Sequence, residues 1–370
     1  MKKILFFTPF GGVSGSELLL LRTIQHLDPL QVQAAVYCEQ VGASMQSALP
    51  THVPFYVNPF QSHKSIRLAS KLKQAAGIPV FENYLAQIQA TFKADYWYLN
   101  TVMMAHIAPF AQKMGIKIIS HFHELPHIHF EPVKYEHLKA MIDNAELCIG
   151  NAEITCQKLR ILGAKSVGLV YPFVEFDKIQ TNQAQIDAIR QALRIPETCF
   201  TWAIAGAPVF VKGIEHLPAL AQHFSNCHFV WIGKNTNSGS FYFTEKEIES
   251  RGLSNIHFVG LQTVDYYNHL AATDGLLLLS REESFGMVNL EAAFLGKPVV
   301  AFNSGGVIEI VQEGMGKVVD SWNLQDLIEA MEQVIDGSLP FDTEVALTRI
   351  QEFTATRQMA RWTQLVQALP

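Results

Sequence analysis

Charge is scarce in this chain of 370 residues: 17% are Asp, Glu, Lys or Arg, against 49% hydrophobic. That balance excludes a solvating, disordered segment and fits a core-forming globular protein. No apolar run approaches the roughly eighteen residues that a bilayer-spanning helix requires. Met1-Lys2-Lys3 followed by apolar residues 4–7 imitates a secretory signal. However, Pro9, Gly11 and Gly12 break the run and no small-residue cleavage site follows, so a buried first strand is expected. The five cysteines (Cys38, Cys148, Cys156, Cys199, Cys227) are odd in number and show no C-x-x-C spacing. This speaks against a disulfide framework and for reduced thiols in a cytoplasmic setting. No basic run interleaved with aromatics suggests nucleic-acid binding, and no short repeat or low-complexity segment appears.

The length suits two domains of about 175 residues each. Apolar runs at 3–7, 32–38, 53–57, 96–99, 117–121, 147–150 and 167–171 read as strands, with helical patterns at 16–27 and 102–114. After Pro172 a polar stretch at 177–193 reads as helical, and a second series of strands follows at 200–205, 228–232, 256–259, 275–279 and 299–302. Alternation of this kind makes parallel, doubly wound sheets. The expected architecture is therefore α/β, with two Rossmann-like domains at 1–175 and 176–350, each with a crevice at its strand C-termini. Residues 351–370 form a terminal helix carrying Phe353, Met359, Trp362 and Leu365 at helical spacing. Residues 1–175 hold 15 basic and 12 acidic side chains, and residues 176–370 hold 13 and 22, or +3 and −9. The mildly basic first half tolerates an anionic acceptor or surface.

The most informative stretch is 280–300, S-R-E-E-S-F-G-M-V-N-L-E-A-A-F-L-G-K-P-V-V. Glu283 stands on a loop after the apolar run 275–279, and Glu291 follows inside an amphipathic run that Gly296 and Pro298 close. The unit reads strand, glycine loop, helix, strand. The N–H groups at the start of such a helix face the crevice and attract anions. One carboxylate reaches a reacting sugar while the other takes a diol farther along the same ligand, a layout that suits a nucleotide-sugar.

This segment, with F-G, L-E-A and G-x-P-V-V after the first Glu, resembles the signature of retaining glycosyltransferases of the two-Rossmann-domain (GT-B) type, especially glycosyltransferase family four. The resemblance covers nearly the whole chain and implies two domains facing a cleft, with the donor in the second and the acceptor mainly against the first. It implies that Glu291 binds the ribose of the donor nucleotide, that Glu283 contacts the donor sugar, and that the Phe285, Gly286, Met287 and Val288 backbone holds sugar and diphosphate. Lys212-Gly213 matches the family's K-G, whose ammonium neutralises the diphosphate. The Arg that usually stands upstream is missing, since Ala207 or Val211 occupies its place, and Lys234 and Arg281 are the available substitutes. His123 matches a histidine that reaches the donor sugar, and domain closure brings it there. The terminal helix is expected to pack back on the first domain. No Asp-x-Asp occurs, so a metal-independent reaction is expected, with no cofactor and a UDP- or GDP-sugar as donor.

Other features are less specific. Gly12 and Gly15 lie on a loop after the first strand and suit a phosphate, while Glu17 tethers helix and loop. Asn100 is expected either to line the acceptor side or to be a satisfied loop residue, and the resemblance implies that Gly233 and Gly260 edge the nucleobase, although both also suit ordinary turns. His121, His123, His127 and His129 crowd one loop without a distinctive ligand spacing, so no metal is expected. Lys64, Arg67 and Lys71 share a helical face beside Leu68, Leu72 and Ala76, which reads as a solvated face or, alternatively, as peripheral contact with the inner face of a membrane or with a lipid-phosphate acceptor. The acceptor is expected to be a saccharide or a lipid-linked group. The alternative reading, motivated by the missing Arg, is a catalytically weak or inactive relative that binds a nucleotide-sugar or a partner protein. An epimerase or phosphorylase on the same fold is disfavoured by the context of the two Glu residues.

Overall fold

The computed structural model describes residues 1–370 except 13, 14, 41, 62–65, 67, 70–71, 73–75, 127–129 and 321–322, and gives the backbone alone at 43 and 61. The first series runs β1 (Lys2–Phe10), α1 (Gly15–Gln25), β2 (Val32–Gln40), α2 (Ala43–Ala48), β3 (Phe55–Val57), α3 (Val80–Phe92), β4 (Tyr96–Asn100), α4 (Ala108–Lys113), β5 (Lys117–Phe122), α5 (Tyr135–Asp143), β6 (Ala145–Gly150), α6 (Glu153–Ile161) and β7 (Val167–Leu169). The second runs α7 (Gln183–Ala192), β8 (Thr201–Ala205), α8 (Leu217–His223), β9 (His228–Ile232), α9 (Gly239–Arg251), β10 (Ile256–Gly260), α10 (Tyr266–Ala271), β11 (Gly275–Leu278), α11 (Met287–Phe294), β12 (Val299–Phe302), β13 (Gly316–Val319), α12 (Leu324–Ile335) and α13 (Thr343–Ile350), before the terminal α14 (Ala355–Gln367).

Two compact units result: residues 1–172 together with 355–370, and residues 173–354. The first holds a seven-stranded sheet in the order β3-β2-β1-β4-β5-β6-β7, the second a six-stranded sheet in the order β10-β9-β8-β11-β12-β13. All pairings are parallel. Parallel strands are covered on both faces, which is why they read as unbroken apolar runs. Ile4, Leu5, Phe6 and Phe7 of β1 are fully buried, as are Leu276 and Leu277 of β11. In each sheet the strand order reverses beside the first strand, between β1 and β4 and again between β8 and β11. Ligands of doubly wound sheets sit outside the strand C-termini at such a point.

The structure departs from the sequence reading at several element boundaries; the terminal helix starts only at Ala355, with Phe353 in a 3-10 turn of the second unit. The helix expected at 177–193 begins only at Gln183, because the Asn182 side chain caps it by accepting from the Gln185 N–H at 3.2 Å. The helical stretch 102–114 divides into a 3-10 segment, Val102–Ile107, and α4. At the edge of the second sheet, β13 was not foreseen, since Gly-Lys-Val-Val, with Lys317 exposed and Val319 alone buried, gives no apolar run.

The terminal α14 belongs to the first unit through specific contacts. The Trp362 indole N–H donates to the Tyr98 hydroxyl at 3.3 Å, and the Tyr171 N–H donates to the Gln358 side-chain oxygen at 3.0 Å. Lys2 bonds the Leu369 carbonyl. Trp362 is 1% exposed, so its truncation leaves a cavity that the surrounding rings fill incompletely. Trp362→Ala should lower the stability of the first unit by about 3–5 kcal/mol. Native-state hydrogen exchange reads this directly: β1 and β4 amides should lose protection while β8 and β12 amides keep theirs. Undiminished protection in β1 would contradict the assignment.

Candidate functional site

The second unit presents its chemistry at the β8/β11 reversal. After β8 a 3-10 turn, Phe210–Lys212, ends in Gly213. A Cβ there would fall 2.1 Å from the Leu279 carbonyl oxygen, and φ is 72°. Only glycine lets this segment lie directly against the end of β11. The Arg281 N–H closes the approach by donating to the Val211 carbonyl at 2.8 Å. Lys212 is thereby presented to Glu283, and its Nζ donates to Oε2 at 2.5 Å. The Ser280 hydroxyl stands 3.5 Å from the same oxygen. The Glu283 loop is in turn held by the chain after β12, since its N–H donates to the Ser304 carbonyl and its carbonyl accepts from the Gly306 N–H, both at 2.9 Å. With 27% and 15% of the two side chains exposed, the pair is largely shielded from water.

Gly286, at φ 86°, caps α11 in the left-handed conformation. The first N–H groups of a helix have no intrahelical acceptor, so Met287 and Val288 offer donors beside Glu283. Glu291 lies one turn farther along and is 8% exposed. Two phenols reach it from α10. Tyr266 Oη donates to Oε2 at 2.8 Å, and Tyr267 Oη to Oε1 at 3.4 Å. The sequence reading missed these tyrosines, because a Tyr-Tyr pair at the start of a short helix does not announce its partner.

The question of a second cation has a geometric answer. The Arg281 guanidinium donates through Nε to Glu215 Oε1 at 2.9 Å and lies over the Phe210 ring at 4.1 Å. It therefore braces the 210–216 segment that carries Lys212. Lys234 is exposed, and Ala207 and Val211 carry no charge. At Gly233 a Cβ would fall 1.9 Å from the Gly206 carbonyl oxygen, so close packing of the strand ends explains this glycine without a ligand. Gly260 ends β10.

The first unit gathers a polar cluster at the ends of β1, β4 and β5. Trp362 donates to Tyr98 Oη, and Tyr98 Oη lies 2.6 Å from His121 Nδ1. The phenol proton then points to Nδ1, which puts the His121 proton on Nε2, a buried atom with no partner among the described residues. The His123 ring packs at 4.0 Å centroid distance from His121, and its Nε2 lies 2.8 Å from Asn100 Oδ1. The Asn100 amide donates to the Ser16 carbonyl at 3.3 Å. His123 Nε2 therefore carries the proton. Burial holds His123 down at about 3 and His121 well below the usual histidine value. Burial likewise pushes Glu124 up to about 7, although it accepts the Val102 and His123 N–H groups.

Glu17 is 4% exposed and takes the Ser16 hydroxyl at 3.1 Å. Gly12 is buried, and a Cβ there would meet the Phe10 ring at 2.1 Å; Gly15 is the exposed first residue of α1. Both glycines belong to the first unit, whereas Lys212, Glu283, residues 285–288 and Glu291 belong to the second. Lys64, Arg67 and Lys71 lie outside the described residues, as do His127 and His129. Leu68 and Leu72 are 61% and 63% exposed. Among the described residues no helix is long and apolar enough to cross a membrane, and no group of three His, Cys, Asp or Glu side chains is placed to hold a metal.

Residues 185–347 match the family model described as Glycosyl transferases group 1. The D-inositol 3-phosphate glycosyltransferase of Mycolicibacterium smegmatis is 26% identical over 204 residues, which cover 53% of this chain and 46% of that protein. A GDP-mannose-dependent monoacylated alpha-(1-6)-phosphatidylinositol monomannoside mannosyltransferase of Corynebacterium glutamicum is 33% identical over 110 residues, 28% and 29% of the two chains. The chain thus spans less than half the length of either curated relative. Among solved structures, Anabaena Alr3699/HepE in complex with UDP-glucose superposes with a TM-score of 0.82 over the full length of both chains at 22% identity. Sucrose-phosphate synthase from Thermosynechococcus elongatus gives 0.80 at 16% identity, over 100% of this chain and 99% of that one. The two doubly wound units are those of the GT-B glycosyltransferase fold. Within that fold, the family-model match over residues 185–347 includes the 280–300 segment whose resemblance pointed to glycosyltransferases.

The neutral state of His123 can be measured. Desolvation disfavours the imidazolium, so its ring signals should not titrate between pH 5 and 8 in heteronuclear NMR spectra. The proton should appear on Nε2. A midpoint between 6 and 7 would show that the ring is not held as described.

Proposed function

We propose that this protein transfers a sugar from a nucleoside diphosphate sugar, either UDP- or GDP-linked, to a saccharide or lipid-linked acceptor, with retention and without a metal. The observation that carries the reading is the Lys212–Glu283 contact at the β8/β11 reversal, with the α11 N-terminus beside it and Glu291 one turn on. Fixed positive charge at this point suits a departing diphosphate, because donors already in place need no reorganisation as charge develops. Lys212 and the amides of residues 286–288 supply that charge in this proposal. Glu283 orients the donor sugar, and Glu291 accepts the ribose hydroxyls. In the first unit, His123 is proposed as the group that serves the sugar. Its support is local: the ring is neutral, oriented by Asn100 and packed on His121. Gly12 and Gly15 are proposed on the phosphate side and Gly233 at the nucleobase. All five cysteines are free thiols, which fits a reducing compartment and supports a cytoplasmic setting.

A second reading, a relative that binds a nucleotide-sugar without turning it over, is favoured by one feature. Arg281 braces the Lys212 segment through Glu215, and Ala207 and Val211 supply no second cation. Donor-dependent release of nucleoside diphosphate separates the two readings.

Turnover is expected, with the product's anomeric proton showing the donor's configuration by NMR. Lys212→Ala should lower it by roughly 10²-fold or more, while EDTA leaves the wild type nearly unchanged. Strict dependence on Mg²⁺ or Mn²⁺ would contradict the metal-independent account. Glu291→Ala should weaken nucleoside diphosphate binding by about 1.5–3 kcal/mol in calorimetry, as for loss of a charged acceptor.

A further inference from the structure

We infer that Tyr266 and Tyr267 are positioning residues that hold the Glu291 carboxylate in the orientation that reads an intact ribose, so that the site takes ribonucleoside diphosphates and rejects their deoxy analogues. The inference rests on the proposed ribose role of Glu291. Its own observation is that one phenol reaches each carboxylate oxygen, at 2.8 Å and 3.4 Å.

A carboxylate offers about four lone-pair sites over its two oxygens. A phenol on each oxygen fixes the plane of the carboxylate, and a carboxylate held in one plane presents both oxygens side by side to the paired O–H donors of a cis-diol. Without the phenols the carboxylate is free to turn about its last torsion, which is broad. The phenols are well placed to prevent this because α10 is tied to its surroundings, its Ala271 carbonyl accepting from Lys297 Nζ at 3.1 Å. The Asp265 carbonyl accepts from the His269 N–H at 2.9 Å and lies 2.9 Å from His269 Nδ1. The Asn268 side-chain oxygen accepts from the Asn182 N–H at 2.8 Å. The two tyrosine rings also meet edge to face at 5.1 Å. Burial, and then the neighbouring Glu291 charge, push the Tyr266 hydroxyl well above the usual phenol value, which keeps it a donor.

A site built this way discriminates by absence. A ligand lacking a hydroxyl leaves a buried, charged acceptor unfilled, which is costlier than the loss of an exposed bond. The 2.8 Å bond marks Tyr266 as the stronger of the two supports.

Calorimetric titration tests this with UDP, GDP and ADP on the wild type, then with the tightest of the three and its 2′,3′-dideoxy analogue on each variant. Tyr266→Phe should weaken binding of the ribonucleotide about 10-fold and leave the dideoxy analogue within about twofold. Tyr267→Phe should act in the same direction with a smaller effect. Equal weakening of both ligands in Tyr266→Phe would assign the ring to packing alone and overturn the inference, as would no change in either. Glu291→Gln separates the two levels of the argument. If it abolishes the preference for ribose and Tyr266→Phe does not, the inference falls and the ribose role stands. If Glu291→Gln keeps the wild-type preference, or if no nucleotide binds the wild type, the ribose role itself falls and takes the inference with it.

Discussion

At the reversal of the second sheet a lysine ammonium and a glutamate carboxylate meet at 2.5 Å, and the loops around them are shaped to keep them together. Gly213 lets the Lys212 segment touch the end of β11, and Arg281 ties that segment down through Glu215, Phe210 and the Val211 carbonyl. The chain after β12 fixes the Glu283 backbone from the other side. A partly buried ion pair of this kind adds modest stability, because desolvation offsets much of the attraction. Its consequence is chemical. On the proposed function, a diphosphate entering the site would draw Lys212 away from Glu283 and release the carboxylate toward the sugar it carries.

The parallel sheets make this possible. Their strands are buried on both faces, so the chain must return outside the sheet after each one, and every loop that follows a strand emerges at the same end. Loops after β8, β11 and β12 therefore converge, although Lys212 stands 71 positions before Glu283, and Ser304 21 positions after it. The same logic gathers Asn100 and His123 in the first unit, where burial keeps the imidazole neutral.

Much of this was legible in the sequence. Apolar runs located most of the strands, and the spacing of Glu283, Gly286 and Glu291, closed by Gly296 and Pro298, marked the strand-loop-helix unit and the family it resembles. What stayed hidden was pairing between distant positions. Arg281 meets Glu215 across 66 residues, Trp362 meets Tyr98 across 264, and Tyr266 meets Glu291 across 25. None of these residues carries a local sign of its partner. In sequence Arg281 was an available cation, and the structure shows it bracing the loop through Glu215 and Phe210. Gly233, expected at a nucleobase, is required by the approach of the Gly206 carbonyl whatever else it does. Helix starts were misjudged where a cap decides them, as Asn182 does for α7.

The central claim is that a diphosphate and Glu283 compete for Lys212. Calorimetric titration of Glu283→Gln with a nucleoside diphosphate that carries no sugar tests it most directly, because such a ligand offers Glu283 nothing in return. Removing the competing charge should tighten binding by a factor of about 2–5, the range expected for a partly exposed ion pair. Weaker binding by the variant than by the wild type would contradict the account.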